Sequence, residues 1–147
     1  MNDAKDNLGK LLSVTYLVEY EGNTMAFFSV LNDKISIQEF ESNRRFKRLF
    51  QDLMPDGKKY KSYPAVKIGR FAVHKDYQGK NIGSKLLDYI KGMFIINNKT
   101  GCQYITVDAY NRSLSFYERN GFKYFSDTDK DKTTRQMYFS LVDLVSN

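Results

Sequence analysis

The sequence predicts an α/β (α+β) fold, a single domain over residues 1–147 built on a mixed sheet flanked by helices. Three observations carry this. Apolar residues alternate with period two in several short runs and recur at helical spacing in others, in the order β-β-α-β-α-β-α-β-β. The stretch Val66–Gly83 reads as a strand, a tight turn and the first turn of a helix. A second apolar strand, Tyr104–Ala109, follows that helix, and strand–helix–strand implies parallel neighbours joined by a crossover.

In chain order, residues 3–12 suit a short helix with Leu8, Leu11 and Leu12 as its apolar side. Val14–Tyr20 alternates as a strand, Glu21-Gly22-Asn23 turns, and Thr24–Leu31 returns, making a β-hairpin. Over Ile37–Met54, Phe46, Leu49, Phe50, Leu53 and Met54 recur at helical intervals until Pro55-Asp56-Gly57. From Ile82 a helix is expected with Leu86, Leu87, Ile90, Met93 and Phe94 on one face. Asn111 is a plausible N-cap for a short helix through Arg119, which Asn120-Gly121 ends. Phe122–Phe125 and Arg135–Leu141 read as strands, with the charged loop Asp127–Thr133 between them.

Composition narrows the function. The 147 residues suffice for one core but not two, and 41% hydrophobic residues imply a folded globular chain. Lys plus Arg outnumber Asp plus Glu by 23 to 17, a formal charge of +6 that favours an anionic partner. Cys102 is the single cysteine, so no intrachain disulfide forms, and packing is its expected role. His74 is the single histidine, and no Cys/His spacing suits a metal. No apolar run reaches membrane-spanning length and the polar N-terminus lacks signal-peptide architecture, so a cytoplasmic protein without a membrane partner is expected.

The turn at Lys75–Gly83 is the chemical focus. Gly79 and Asn81 tolerate positive φ, and a turn that opens a helix aims free N–H groups and the positive dipole end at one point. This suggests a phosphate-bearing ligand, although any strand–helix turn uses such residues. It matches neither the G-x-x-x-x-G-K-[ST] loop nor the dinucleotide fingerprint. The densest positive stretch is Arg44, Arg45, Lys47, Arg48, Lys58, Lys59 and Lys61, interleaved with Tyr60 and Tyr63. It is either the wet face of an amphipathic helix and a solvated loop, or a surface for RNA or another anion.

Two runs carry a family resemblance: Gln78-Gly79-Lys80-Asn81-Ile82-Gly83, and N-R-S-L-S-F-Y-E-R-N-G-F at Asn111–Phe122. The chain resembles the GNAT acetyltransferases from roughly Tyr16 to Leu141. The first run matches the family's Q/R-x-x-G-x-G/A motif, with Asn81 in place of glycine. The resemblance implies a mostly antiparallel sheet whose one parallel strand pair splays into a cofactor cleft. It implies acetyl-CoA as cosubstrate, no metal, and direct attack by a primary amine in a ternary complex. Phe71, Ala72 and Val73 would meet the pantetheine arm. The Gln78–Gly83 run and Ser84 would hold the pyrophosphate, with Lys80 and Lys85 adding charge. Asn111 would touch the cofactor arm, and the Val73 N–H would polarise the thioester carbonyl. Tyr117 would be the general acid that protonates the departing thiolate; its plainer role is a core aromatic beside Phe116 and Phe122. Asp108 and His74 are weak candidates for a base.

Resemblance also frames the acceptor. A small-molecule or protein amine is the favoured expectation, for which Glu39 and Glu41 are the only nearby acids. The run Pro64–Val73 is similar to a subgroup that includes toxins acetylating aminoacyl-tRNA, whose ester amine has a low pKa and needs little help from a base. A non-catalytic acyl-CoA-binding module is the third reading. Family members are often dimers, so a homodimer is the default expectation. Relatives also usually begin with a strand and helix that this chain lacks before its hairpin.

Overall fold

A computed structural model describes residues 2–36, 43–51, 60–98 and 100–146. Helix α1 (Asn2–Gly9) leads into β1 (Val14–Tyr20) and β2 (Asn23–Ser36). Two residues, Glu21 and Gly22, join these strands at φ 48° and 80°. Positive φ at both central positions matches the right-handed twist of a two-residue hairpin. Helix α2 (Asn43–Phe46) runs into a π-helical turn at Lys47–Gln51. Then come β3 (Ser62–Val73), α3 (Ile82–Ile95), β4 (Tyr104–Tyr110), α4 (Leu114–Arg119), β5 (Lys123–Tyr124), β6 (Thr134–Ser140) and α5 (Val142–Val145).

The six strands form one sheet in the order β1-β2-β3-β4-β6-β5. Every neighbouring pair is antiparallel except β3–β4, which is parallel. The mixed, mostly antiparallel sheet with flanking helices is thus the predicted architecture. Each face buries its own core. On one face Phe28, Val66, Ile105 and Val107 pack against Leu86, Leu87 and Ile90 of α3 and Tyr117 of α4. On the other, Ile35, Tyr63, Ala65, Tyr104 and Tyr138 pack against Phe46 and Phe50. Helical spacing of those phenylalanines puts both on the buried side of α2 and its π turn.

Several expectations need correction. β2 continues past the expected end at Leu31 to Ser36, and β3 starts at Ser62, because Ile35 and Tyr63 pair and are buried. Pro64 is tolerated inside β3. Its carbonyl accepts from Gln103 N–H at 3.1 Å, so its missing N–H faces the β4 side, where pairing begins only at Ala65. Tyr63 is a core residue, 1% exposed, and so cannot stack on bases from the surface. The helix predicted over Ile37–Met54 is observed only as α2 and its π turn; residues 37–42 and 52–59, including Glu39, Glu41, Lys58 and Lys59, lie outside the described residues. Asn111 does not cap α4. It starts a 3₁₀ turn, Asn111–Ser113, and Ser113 occupies the cap position without a side-chain bond. The strand expected over Phe122–Phe125 shortens to β5 because Phe122 packs beside Tyr117 instead.

Cys102 is buried, its thiol donating to the Tyr104 carbonyl at 3.0 Å, and burial pushes that thiol upward, away from thiolate chemistry. Among the described residues, no helix is long and apolar enough to cross a membrane, and no group of three or more acidic, Cys or His side chains could hold a metal ion.

Candidate active site

The site begins with a local defect in β3. Pairing with β2 runs Val30↔Ile68 and then Ser29↔Arg70, so Gly69 is the extra residue of a β-bulge. Only a glycine fits without displacement: a Cβ there would lie 3.0 Å from Leu31 Cδ2 and 3.2 Å from Ser29 Oγ. The bulge has two consequences. It reverses the in–out alternation, so Val66 and Ile68 before it, and Phe71 and Val73 after it, all belong to the α3 face. It also coincides with the end of parallel pairing. β3 and β4 are joined from Ala65↔Tyr104 to Ile68↔Val107 and no further, while both strands keep their outer partners. A gap therefore opens between Gly69–Val73 and Asp108–Tyr110.

The gap is the heart of a cleft of about 1050 Å³. His74 N–H donates to Met25 O at 2.9 Å on the β2 side. By alternation, the N–H and C=O groups of Phe71 and Val73 point into the gap. Gln78 Nε2 donates to the Val73 carbonyl at 2.9 Å, tying the turn back to the strand. The Val73 N–H is left as a donor aimed at the gap.

The turn then positions the helix. Gly79 has φ 79°, and Asn81, the residue before α3, sits in the left-handed region at φ 61° and ψ 20°. The first intrahelical bond runs from Lys85 N–H to Asn81 O at 3.2 Å. The N–H groups of Ile82, Gly83 and Ser84 therefore have no acceptor within the helix and face the cleft's end with the positive dipole. Gly83 serves a different purpose from Gly79. A Cβ on it would meet the Phe116 ring at 3.1 Å, so its bareness lets α3 approach α4.

Helix α4 supplies the opposite wall. Tyr117 lines the cleft while sitting between Phe116 and Phe122, with ring centroids 5.1 Å and 5.2 Å away. Burial pushes its phenol up to about 12, so at neutral pH it is fully protonated. The core role and the cleft role thus coexist. Asn120 fixes the spacing of the two helices: its Nδ2 donates to Ser84 Oγ at 3.2 Å and to Phe116 O at 2.8 Å, while its backbone carbonyl accepts from buried Lys91 Nζ at 2.7 Å. Desolvation holds the Lys91 ammonium below its ordinary range.

Of the residues singled out from sequence, Phe71, Ala72, Val73, Gln78 and Gly79 line the cleft on one side. Asn81, Ile82, Gly83 and Ser84 line its end, and Tyr117 faces them. Four stand outside the lining, Lys80, Lys85, His74 and Asn111. Lys80 is exposed, its Nζ 5.8 Å from the Tyr77 ring centre, and the Asn111 amide donates to Lys132 O at 3.0 Å. Asp108 lines the cleft but is bonded to Lys67 Nζ at 3.2 Å. His74 is exposed and accepts from Asp76 N–H through Nδ1 at 3.2 Å. Sequence reasoning passed over Gly69, Arg112, Phe116 and Arg119. An isolated glycine in a strand pattern is a bulge signal, and positions 112, 116 and 119 share one helical face, so both were there to be read.

This arrangement fits a thioester cosubstrate with a pyrophosphate: strand-edge donors for an amide-bearing arm, left-handed turn and helix N–H groups for an anion, and Arg112 and Arg119 among the lining residues. A family model for the acetyltransferase (GNAT) domain matches residues 48–124, more than half of the sequence, and the chain belongs to that family. It is an acetyl-CoA-dependent acetyltransferase. No curated protein sequence matches it. Among solved structures it is similar to a crystal structure described as a bacterial toxin, at 17% identity and TM-score 0.76, covering 97% of this chain and 75% of that one. It is also similar to AtaTR bound with AcCoA, at 16% identity and TM-score 0.69, covering 97% and 79%. AtaT complexed with acetyl-methionyl-tRNAfMet matches at 14% identity and TM-score 0.68, covering 98% and 81%. At such identities the likeness is one of fold.

Proposed function

We propose that the chain transfers an acetyl group directly from acetyl-CoA to a primary amine borne on RNA, the amino group of an aminoacyl ester. The observation that carries the acceptor class is the distribution of charge. Arg44, Lys47 and Arg48 are exposed on the side of α2 and its π turn opposite buried Phe46 and Phe50. Three arginines, Arg70, Arg112 and Arg119, line the cleft against one carboxylate, Asp108. Such a surface repels a polyamine and attracts phosphates. The fold shared with a tRNA-bound neighbour points the same way.

The chain's residues divide the work. Backbone N–H groups of Phe71 and Val73 orient the pantetheine amides and the thioester carbonyl. Gly79, Asn81, Ile82, Gly83 and Ser84 receive the pyrophosphate on their N–H groups, with Gln78 bracing the turn. Acetyl-CoA, when bound, supplies an activated acyl carbon with a thiolate leaving group. Tyr117, kept protonated by burial, moves its hydroxyl proton to the sulfur as it departs. Lys80 and Asn111 then act from outside the cleft, Lys80 through charge and Asn111 by holding the loop at Lys132.

Labelled acetyl transfer from acetyl-CoA into a cell extract, with and without RNase, tests the acceptor. Label lost on RNase treatment is expected. Label indifferent to RNase overturns the RNA reading in favour of a small-molecule or protein amine. Replacing Arg44, Lys47 and Arg48 by Gln is expected to weaken RNA binding and to flatten its salt dependence, by about one unit of slope for each phosphate no longer neutralised.

A further inference from the structure

The sheet gap has two mouths, and they differ. On β4, Ile105, Val107 and Ala109 belong to the core of the α3 face, so by alternation Thr106 and Asp108 project to the α2 face. On β3, Tyr63 and Ala65 belong to the α2-face core, which puts Lys67 on that side too. On β2, Ile35 does the same for Asp33. Four polar side chains thus meet on the α2 face, at the last rung before the strands part. Lys67 Nζ lies 3.2 Å from Asp108 Oδ2 and 3.9 Å from Asp33 Oδ2, and Thr106 Oγ1 donates to Asp33. Lys67 and Thr106 are themselves partners across the parallel pair. Asp108 closes the series at the gap itself and lines the cleft. Tyr117 lines the same cleft from the α3 face.

We infer that Asp108 receives the ammonium of the acceptor on the α2 side of the gap and takes one proton from it, and that Lys67 is the positioning residue that holds the Asp108 carboxylate at the opening. The proton balance is simple. One N–H bond of the ammonium breaks, one O–H bond forms on Asp108, and the electron pair stays on nitrogen as the nucleophile. An acceptor on one face and a donor on the other serve the two halves of acyl transfer: the amine, once it has lost a proton, adds to the thioester carbonyl, and the tetrahedral adduct then expels the thiolate as Tyr117 gives it a proton. Only one Asp108 oxygen is bonded to Lys67, so the other is open to a cation. Asp33 and Thr106 hold Lys67 from behind, which fixes its ammonium without filling the gap. The inference rests on the direct-attack reading above but not on RNA as the carrier.

The test uses the full chain and glycine methyl ester as the probe amine. Titrated into the protein without acetyl-CoA, the ester is expected to shift the backbone amide resonances of Thr106–Ala109. N-acetylglycine methyl ester, which has no charge, is expected to leave them unmoved, and Asp108→Asn is expected to abolish the response. Shifts that centre elsewhere, or that persist with the acetylated ester, overturn the site even if every variant misfolds. In steady-state transfer to the same ester, Asp108→Asn should raise KM about tenfold or more, as expected when one charge-assisted hydrogen bond is removed, and should lower kcat as well because the proton acceptor is gone. Lys67→Met should lower kcat without raising KM, and Lys67→Arg should restore it. A Lys67→Met chain that loses acetyl-CoA affinity and thermal midpoint while kcat stands would make Lys67 structural only. Absence of acetyl transfer alongside intact amide shifts would strike the transfer reading and leave the ammonium site standing.

Discussion

Asn81 shows how one backbone angle decides the turn. Its left-handed φ of 61° is a conformation that asparagine tolerates and most side chains do not. Asn81→Ala should destabilise the chain by about 1 kcal/mol and weaken acetyl-CoA binding, whereas Asn81→Gly should stay within about 0.5 kcal/mol of wild type. Chemical denaturation and calorimetric titration check both. Gly83 acts by closeness instead. Gly83→Ala would press a methyl against Phe116, 3.1 Å from Cε2, and that ring would have to give by a few tenths of an ångström at the cleft end. Acetyl-CoA affinity should fall about fivefold or more, with the global midpoint changing little. Tyr117 carries a pH signature. Its phenol is raised from the ordinary 10.0 to about 12, so the unfolded chain releases this proton first. Stability held by the buried phenol is full below 10 and is lost as pH rises toward about 12. Denaturation midpoints on either side of that lower bound should fall more steeply for the wild type than for Tyr117→Phe.

At the scale of elements, the gap exists because β3 carries one residue too many. Deleting Gly69 would restore regular pairing, with Arg70 following Ile68 opposite Ser29 and with Phe71 and Val73 still on the α3 face, so that only the kink and extra twist of the bulge are lost. Acetyl-CoA binding should disappear in calorimetric titration, and retained affinity would show that the bulge does not make the cleft. This part of the molecule was only half legible in the sequence. The strand, turn and helix from Val66 through Phe94 could be read because period two gives way to period 3.6 around residues that accept positive φ. The bulge was signalled by an isolated glycine in a strand pattern, but nothing local says that Ser29 and Leu31 are the β2 residues it must clear. The Asn111 assignment failed for a related reason. An asparagine before a helical run satisfies the local rule for a cap, but its amide is taken by the Lys132 carbonyl 21 residues away. Extension of β2 and β3 was hidden likewise, because the alternation that makes Asp33 and Ile35 neighbours on one face is visible only against Tyr63 and Ala65.

Across the whole molecule, the sheet divides the chemistry. One face carries α3 and α4, the turn at Gly79–Gly83 and the buried phenol. The other carries α2, its exposed cations, and the Asp33–Lys67–Asp108 series. The order of elements and the parallel pair were readable because each follows from short-range periodicity and one crossover. The two-sided polar arrangement was not, since it joins residues from β2, β3 and β4 that no spacing rule relates. On the proposed reading, transfer takes place in the gap with Tyr117 as proton donor. Its most direct test is the single-turnover rate of acetyl transfer by Tyr117→Phe at saturating acetyl-CoA, measured beside acetyl-CoA affinity. A rate lowered about a hundredfold with affinity unchanged is expected. A rate equal to that of the wild type would contradict it and return Tyr117 to the core as packing alone.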